Sequence, residues 1–302
     1  MMPNFLIVGA AKSGTTSLYH YLSQHPDIFM PMWKELSFFI GDPHGPLHKV
    51  KKPEYYYRVF SKVKNQSRVG EASTSYLYDQ IAPQRIKEIL GKIKILILLR
   101  NPVDMAYSLY NHQVRREGET LRSFEFALAA EDNRRKNIMF REKCYGWHAN
   151  YYYYHRGLYF KQVKRYLDAF GQDNVLIFLF DELINDALAV AQRAYRFLVV
   201  DDTFVPDIKV HNPAGKILVI PKFWEDSGLF QKTISFVFSK NILKKIPHLM
   251  RNIDQRPPQP INPATAQQLA ERFYGDICRL EKLINKDLSS WKIETITDKA
   301  SQ

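Results

Sequence analysis

The stretch Phe5-Leu6-Ile7-Val8-Gly9-Ala10-Ala11-Lys12-Ser13-Gly14-Thr15-Thr16-Ser17 carries the reading of the fold. An apolar run enters a glycine turn, and a helix-period segment, Thr15–Gln24, follows it. A strand that feeds the start of a helix through such a turn presents unpaired N–H groups at the positive end of the helix dipole. That arrangement binds phosphate or sulfate oxygens. The spacing Gly9-x4-Gly14 matches the frame of the triphosphate-binding loop G-x-x-x-x-G-K-[ST]. It departs from that frame at one slot. Thr15 stands where the lysine belongs, and the lysine sits inside the loop as Lys12. A lysine there is expected beside a 5′-phosphate and its bridging oxygen rather than on terminal phosphates.

A second anchor lies outward along the chain. The apolar run Ile93–Leu99 ends in Arg100-Asn101-Pro102, with Ser108 following on a helical pattern, Val103–Arg116. A magnesium enzyme needs a carboxylate at a strand end to hold its metal. An arginine there suits direct bidentate capture of a second anion. Ser108, on the second turn of that helix, can face the same anion. Strands are expected at Asn4–Val8, Arg68–Gly70, Ile93–Leu99 and Asn174–Phe180. Helices are expected between and after them at Pro83–Leu90, Ser123–Arg135, His148–Phe170, Leu183–Leu198 and Asn262–Leu288. This alternation implies an α/β, P-loop NTPase-like three-layer fold with a central parallel sheet. With no repeat and no linker, residues 1–302 read as one domain, in which 207–260 forms a lid or an acceptor-side insertion. An interfacial helix on an anionic membrane is the alternative for that insertion.

Composition narrows the partners. The 302 residues are 45% hydrophobic and 25% charged, with 13 Gly and 16 Pro, which excludes wholesale disorder and collagen-like sequence. Two cysteines, Cys144 and Cys278, cannot build a disulfide framework and read as reduced structural thiols. No run is long enough to span a membrane, and the start lacks a leader pattern, so a cytoplasmic protein is expected. A net charge of +12 calls for an anionic partner. The segment 209–256 alone carries nine Lys or Arg against three Asp or Glu.

Lys12-Ser13-Gly14-Thr15-Thr16 together with Arg100 and Ser108 resembles the cofactor signature of sulfotransferases that use 3′-phosphoadenosine 5′-phosphosulfate. The first motif is similar to the family's 5′-phosphosulfate loop, the second to its 3′-phosphate site. Lys34-Glu35-Leu36-Ser37-Phe38-Phe39 resembles the Glu-x-His-Phe-Phe segment of the heparan-sulfate sulfotransferase branch, and Gly70-Glu71-Ala72-Ser73-Thr74-Ser75-Tyr76 the segment before that branch's second anchor. Gly157-Leu158-Tyr159 and Asp287-Leu288-Ser289-Ser290-Trp291 are like bacterial members. Ser37 replaces the branch's histidine, and Ala72 stands where glycan-modifying enzymes tend to carry a lysine. Both departures weigh against a heparan-like acceptor. The branch's Lys-Gly-Arg cofactor loop is absent; His211-Asn212-Pro213-Ala214-Gly215-Lys216 stands in for it, with Lys216 or Lys209 near a phosphate.

The resemblance implies in-line sulfuryl transfer to a hydroxyl or amine of a small molecule, such as a natural product, with a saccharide acceptor as the alternative. Adenosine 3′,5′-bisphosphate is the product, with no metal and no nucleic-acid partner. Lys12 would meet charge developing on the leaving oxygen, helped by Ser13, Gly14, Thr15 and Thr16. Glu35 would take the acceptor proton, its affinity for that proton raised by Trp33, Leu36, Phe38 and Phe39. His44 and His48 are the competing bases, and His48, His112 and Tyr76 are the acceptor-side candidates. Tyr151–Tyr154 would cover all faces of a helix, two of them in the core, with a sugar-stacking cleft as the other reading. Asp181 reads as part of an acidic turn before a helix. The alternatives of other classes are a magnesium-dependent kinase with Asp181 on the metal, and a non-catalytic polyanion-binding protein.

Overall fold

Alternation along β1 (Phe5–Gly9) sends Leu6 and Val8 to one face of a sheet and Phe5 and Ile7 to the other, all fully buried. The computed structural model describes residues 2–41, 52–208 and 260–292. Both faces of the sheet are covered. Helices α1 (Thr15–Leu22) and α11 (Ala187–Leu198) pack on the Phe5/Ile7 side, where Leu18, Leu22, Val190 and Tyr195 bury against Leu96, Leu98 and Phe178. The Leu6/Val8 side is covered by α2 (Pro53–Val59), α3 (Ala82–Leu90), α4 (Pro102–Arg115), α9 (Tyr159–Phe170) and α12 (Pro263–Ile284). This is the three-layer α/β architecture that the strand and helix alternation implied.

The sheet holds five parallel strands in the order β2-β3-β1-β4-β5, with β2 (Ile28–Phe29), β3 (Arg68–Ala72), β4 (Lys94–Leu99) and β5 (Val175–Leu179). The two-residue edge strand β2 carried no periodic signal in the sequence. From β1 the chain goes to β2 at one edge, returns inward to β3 beside β1, then crosses to β4 and β5 on the other side. The carboxyl ends of β3, β1 and β4 therefore flank the crevice where such sheets bind ligands. Pairing of β1 with β3 sets Phe5 opposite Gly70, where an added Cβ would lie 2.1 Å from the Phe5 ring, so only glycine fits.

Three long helical readings are broken by tertiary contacts. Ser123–Arg135 divides at Ala130 into α5 (Phe124–Ala129) and α6 (Glu131–Lys136). There the buried Glu131 accepts the N–H groups of Tyr154 and His155 at 2.8 and 2.9 Å. His148–Phe170 divides into a 3-10 turn, α8 (Tyr153–Gly157) and α9 at Tyr152 and Leu158, whose backbones leave the helical region, and beside the second break Gly157 sits against Phe273 and Pro102 with no room for a Cβ. Leu183–Leu198 divides at Asp186, whose carboxylate caps α11 through the Ala189 N–H at 2.8 Å, behind the short α10 (Phe180–Asn185). The short α2 and α7 (Ile138–Lys143) were not anticipated. Tyr151, Tyr152 and Tyr153 are all buried and do not share one helix, which corrects the expectation of two core tyrosines on a single helix.

Candidate active site

Three segments meet at the carboxyl edge of the sheet, following the central strands β1 and β4 and the edge strand β2. The first is the loop Ala10–Gly14. Gly14 takes φ +85° at the N-cap of α1, and a Cβ there would come within 2.5 Å of Leu183. Glycine is thus required both by backbone angle and by space. No side chain among the described residues caps α1, which leaves its first-turn N–H groups available to a ligand in the crevice. Ser13 is fully buried and donates to the Ala11 carbonyl at 3.2 Å, fixing the loop. Thr15 and Thr16 receive the Lys34 ammonium at 3.3 and 3.1 Å.

The second segment is Arg100, directly after β4. Its Nη1 donates to the Lys12 carbonyl at 3.4 Å, Nη2 lies 3.6 Å from Asp104 Oδ2, and the guanidinium stacks 4.7 Å from the Phe180 ring centre. The Arg100 Nε is buried with no hydrogen-bond partner. An orphaned cationic donor of this kind fits an anion at the spot where the sequence placed one. Ser108, half-buried, is one helical turn beyond Asp104 on the same stripe of α4. The stripe continues through His112 to Arg115.

Charge is concentrated here. Burial, then Arg115, Arg100, Lys34 and Arg116, push the Lys12 ammonium down to about 8. Lys34 is also lowered by burial, against the pull of Glu35. His112 is pushed down to about 3 by burial and then by Lys12, Arg116 and Arg115, so it stays neutral at working pH. The site is therefore a pocket of positive potential that a bound anion would relieve. When an anionic nucleotide binds at pH 8, Lys12 should recharge and take up about half a proton from solvent, because pH equals its free-state value there. Uptake should fade toward pH 6.5 and affinity should decline above pH 8. Titration calorimetry in buffers of different ionisation enthalpy measures this, and Lys12→Met should abolish it.

The third segment is the loop that carries Glu35, laid across the ends of β1 and β3. Tyr19 OH donates to the Pro31 carbonyl, and the Glu35 N–H donates to the Ala72 carbonyl at 2.9 Å. The Glu35 carboxylate receives the Thr74 N–H at 2.9 Å and its hydroxyl at 3.2 Å, and lies 4.0 Å from Lys34 Nζ. It is 39% exposed. The expected apolar shell is not there: Trp33 is exposed, while Leu36, Phe38 and Phe39 turn into the core. Positive φ at both Glu35 (61°) and Ser37 (55°) produces this divergence, by turning alternate side chains away from the carboxylate.

Lys12, Ser13, Gly14, Thr15, Thr16, Glu35, Arg100, Ser108 and His112 thus come to one edge of the fold. Tyr76 does not face that crevice: it is fully buried, its hydroxyl committed to Phe38 and Glu71, which corrects its acceptor-side reading. Asp181 is exposed on α10, and the adjacent Glu182 accepts the Leu179 N–H at 2.6 Å, as an acidic turn before a helix would. His44, His48, Lys209, Lys216 and residues 209–259 of the expected lid segment lie outside the described residues. Among the described residues no group of three or more His, Cys, Asp or Glu is placed to hold a metal ion. No helix among them is long and apolar enough to cross a membrane.

Sequence reading missed two contributors. Arg156 is buried and pushed down to about 10 by desolvation; it donates to the Thr74 carbonyl at 3.3 Å and to Asn150 at 3.0 Å. Through Thr74 it braces the residue that holds Glu35. Tyr159, also fully buried, brings its hydroxyl near Ser13 and Arg100 without a well-formed hydrogen bond. An arginine next to Gly157 in a tyrosine-rich segment carries no sequence signal for either role.

Residues 2–208 match the family model of the sulfotransferase domain. The mouse bifunctional heparan sulfate N-deacetylase/N-sulfotransferase 1 is 29% identical over 214 residues, covering 67% of this chain and 22% of that protein. The membrane-associated sulfotransferase kil1 of Dictyostelium discoideum is 31% identical over 114 residues, 38% of this chain and 24% of that one. The chain thus spans about a fifth to a quarter of these curated relatives. A solved sulfotransferase from Alicyclobacillus acidocaldarius is 36% identical, with a TM-score of 0.73 over 96% of this chain and 99% of that one. A domain match over more than half of the chain, on a backbone shared nearly end to end with that bacterial enzyme, makes this protein a member of the sulfotransferase family.

Proposed function

We propose that the protein transfers a sulfuryl group from 3′-phosphoadenosine 5′-phosphosulfate to a hydroxyl or amine of a small-molecule acceptor. The observation that carries this reading is the pairing of an uncapped α1 with two separate cationic anchors, Lys12 in the loop and Arg100 after β4. A donor with a 5′-phosphosulfate and a 3′-phosphate supplies one anion to each. Lys12 and the α1 amides would hold the 5′ group, while Arg100 and Ser108 hold the 3′-phosphate.

In the transfer, Glu35 would accept the acceptor's proton as the new bond to sulfur forms. The bond between sulfur and the nucleotide's phosphate oxygen breaks, and Lys12 meets the charge left on that oxygen. Thr74 orients the Glu35 carboxylate, and Lys34 ties Thr15 and Thr16 to the same loop. His112, held neutral between cations, is a poor base and would act on the acceptor side as a hydrogen-bonding group. A saccharide acceptor is the second reading, favoured by the name of the heparan sulfate relatives.

Nucleotide selectivity tests the donor assignment. Adenosine 3′,5′-bisphosphate should bind much more tightly than AMP or ATP. Arg100→Ala should remove most of that difference, about 1.5–3 kcal/mol for a charged hydrogen bond. Labelled sulfate should then appear on members of a panel of alcohols, amines and sugars, with EDTA present. Equal affinity for ATP would replace this reading with a kinase, and sulfate transfer that requires Mg²⁺ would bring a metal into the mechanism.

A further inference from the structure

Glu71 is a carboxylate that the transfer scheme leaves unused. It lies within β3, fully buried, and among the described residues no cation pairs with it. Burial pushes it up to about 7, with hydroxyl donors from Ser73, Tyr56 and Tyr76 working in the opposite direction. A charge-bearing group in such a place costs stability, and an apolar residue of similar shape would pack there without that cost. Its hydrogen bonds show where it acts instead.

The Ser37 N–H donates to Ser73 Oγ at 3.0 Å, and the Phe38 N–H donates to Tyr76 OH at 2.9 Å. A backbone N–H can only donate, so each hydroxyl accepts from the loop through one lone pair and keeps its single proton to pass on. Both pass it to Glu71. Ser73 Oγ donates to Oε1, and Tyr76 OH lies 3.0 and 3.1 Å from the two carboxylate oxygens. Tyr56 OH donates to Oε2 at 2.9 Å. The loop so tied holds two non-glycine residues in left-handed conformation, Glu35 and Ser37, which ordinary backbone preference would release.

We propose that Glu71 is the positioning residue for Glu35, acting through the hydroxyls of Ser73 and Tyr76 to hold the 35–38 backbone in its strained form. The proposal rests on the reading of Glu35 as the base. Its element of chemistry is the acceptor-only character of the ionised carboxylate, the form that gains as pH rises above about 7, which lets Ser73, Tyr56 and Tyr76 all donate to it.

The test is a double-substitution cycle in the full chain. Glu71→Gln keeps the shape but replaces one acceptor oxygen by an amide that itself donates. It should lower kcat by about 10–100-fold and leave the affinity for adenosine 3′,5′-bisphosphate within about twofold. In the Glu35→Gln background the same substitution should cost less than about twofold, because there is no base left to misplace. Ser73→Ala and Tyr76→Phe each cut one relay while leaving Glu71, and should show smaller losses with the same silence in that background. They keep the test open should Glu71→Gln fail to fold. Equal losses with and without Glu35, or an unchanged kcat in Glu71→Gln, overturn the positioning role alone. A near-normal Glu35→Gln enzyme instead overturns the base assignment, and the positioning role with it.

Discussion

Glu35→Gln should lower kcat by about 10²–10⁴-fold, the range general base catalysis supplies. The amide keeps the shape of the carboxylate and can still accept from Thr74, so the loop remains in place and only proton acceptance is lost. Nucleotide affinity should stay within about twofold of wild type, since Arg100 and the α1 amides are untouched. Steady-state kinetics with a fixed acceptor, beside calorimetry with adenosine 3′,5′-bisphosphate, separate the two quantities. If Glu35→Gln is close to wild type while His44→Ala or His48→Ala is inactive, the base is a histidine.

The second large effect is expected at Lys12. Lys12→Met removes the one ammonium inside the loop while keeping a chain of similar length. Turnover should fall by about 10²–10³-fold, as when one preorganised donor to a developing oxyanion is lost. Donor affinity should fall far less, because Arg100, Lys34, Arg115 and Arg116 all remain around the loop. Their presence also disfavours the charged form of Lys12 in the unliganded protein. Charge on the leaving oxygen offsets that effect, which makes the lysine's contribution greater in the transition state than in the ground state. A loss confined to KM would assign Lys12 to ground-state binding.

Lys12 and Glu35 are both candidates from the sequence, but for different reasons. Lys12 is read from local spacing, because Gly9, Gly14 and a following helix leave few backbone paths between them. Glu35 is found through its resemblance, and its environment was misjudged. Neighbours in sequence predicted an apolar shell, but positive φ at Glu35 and Ser37 turns Leu36, Phe38 and Phe39 inward and leaves the carboxylate to Thr74. A backbone in left-handed conformation at non-glycine residues has no compositional mark. The same limit applies to Tyr76, whose aromatic ring suited an acceptor face equally well until its hydroxyl was found bonded to Glu71.

Hydrophobic period determined the parallel sheet, and glycine spacing and residue identity at the strand ends determined the phosphate-type loop after β1 and the arginine after β4, because all of these are written in consecutive residues. Tertiary structure decided what nonlocal contact controls. It set β1 between β3 and β4, so that three segments far apart in the chain share one edge. It broke three helices where Glu131, Gly157 and Asp186 meet distant partners or cap a new turn. It also placed Arg156 under Thr74 and Glu71 under Ser73 and Tyr76. Such buried charges are invisible in sequence because an Arg or Glu in an ordinary run is far more often solvated, and only the fold removes the water.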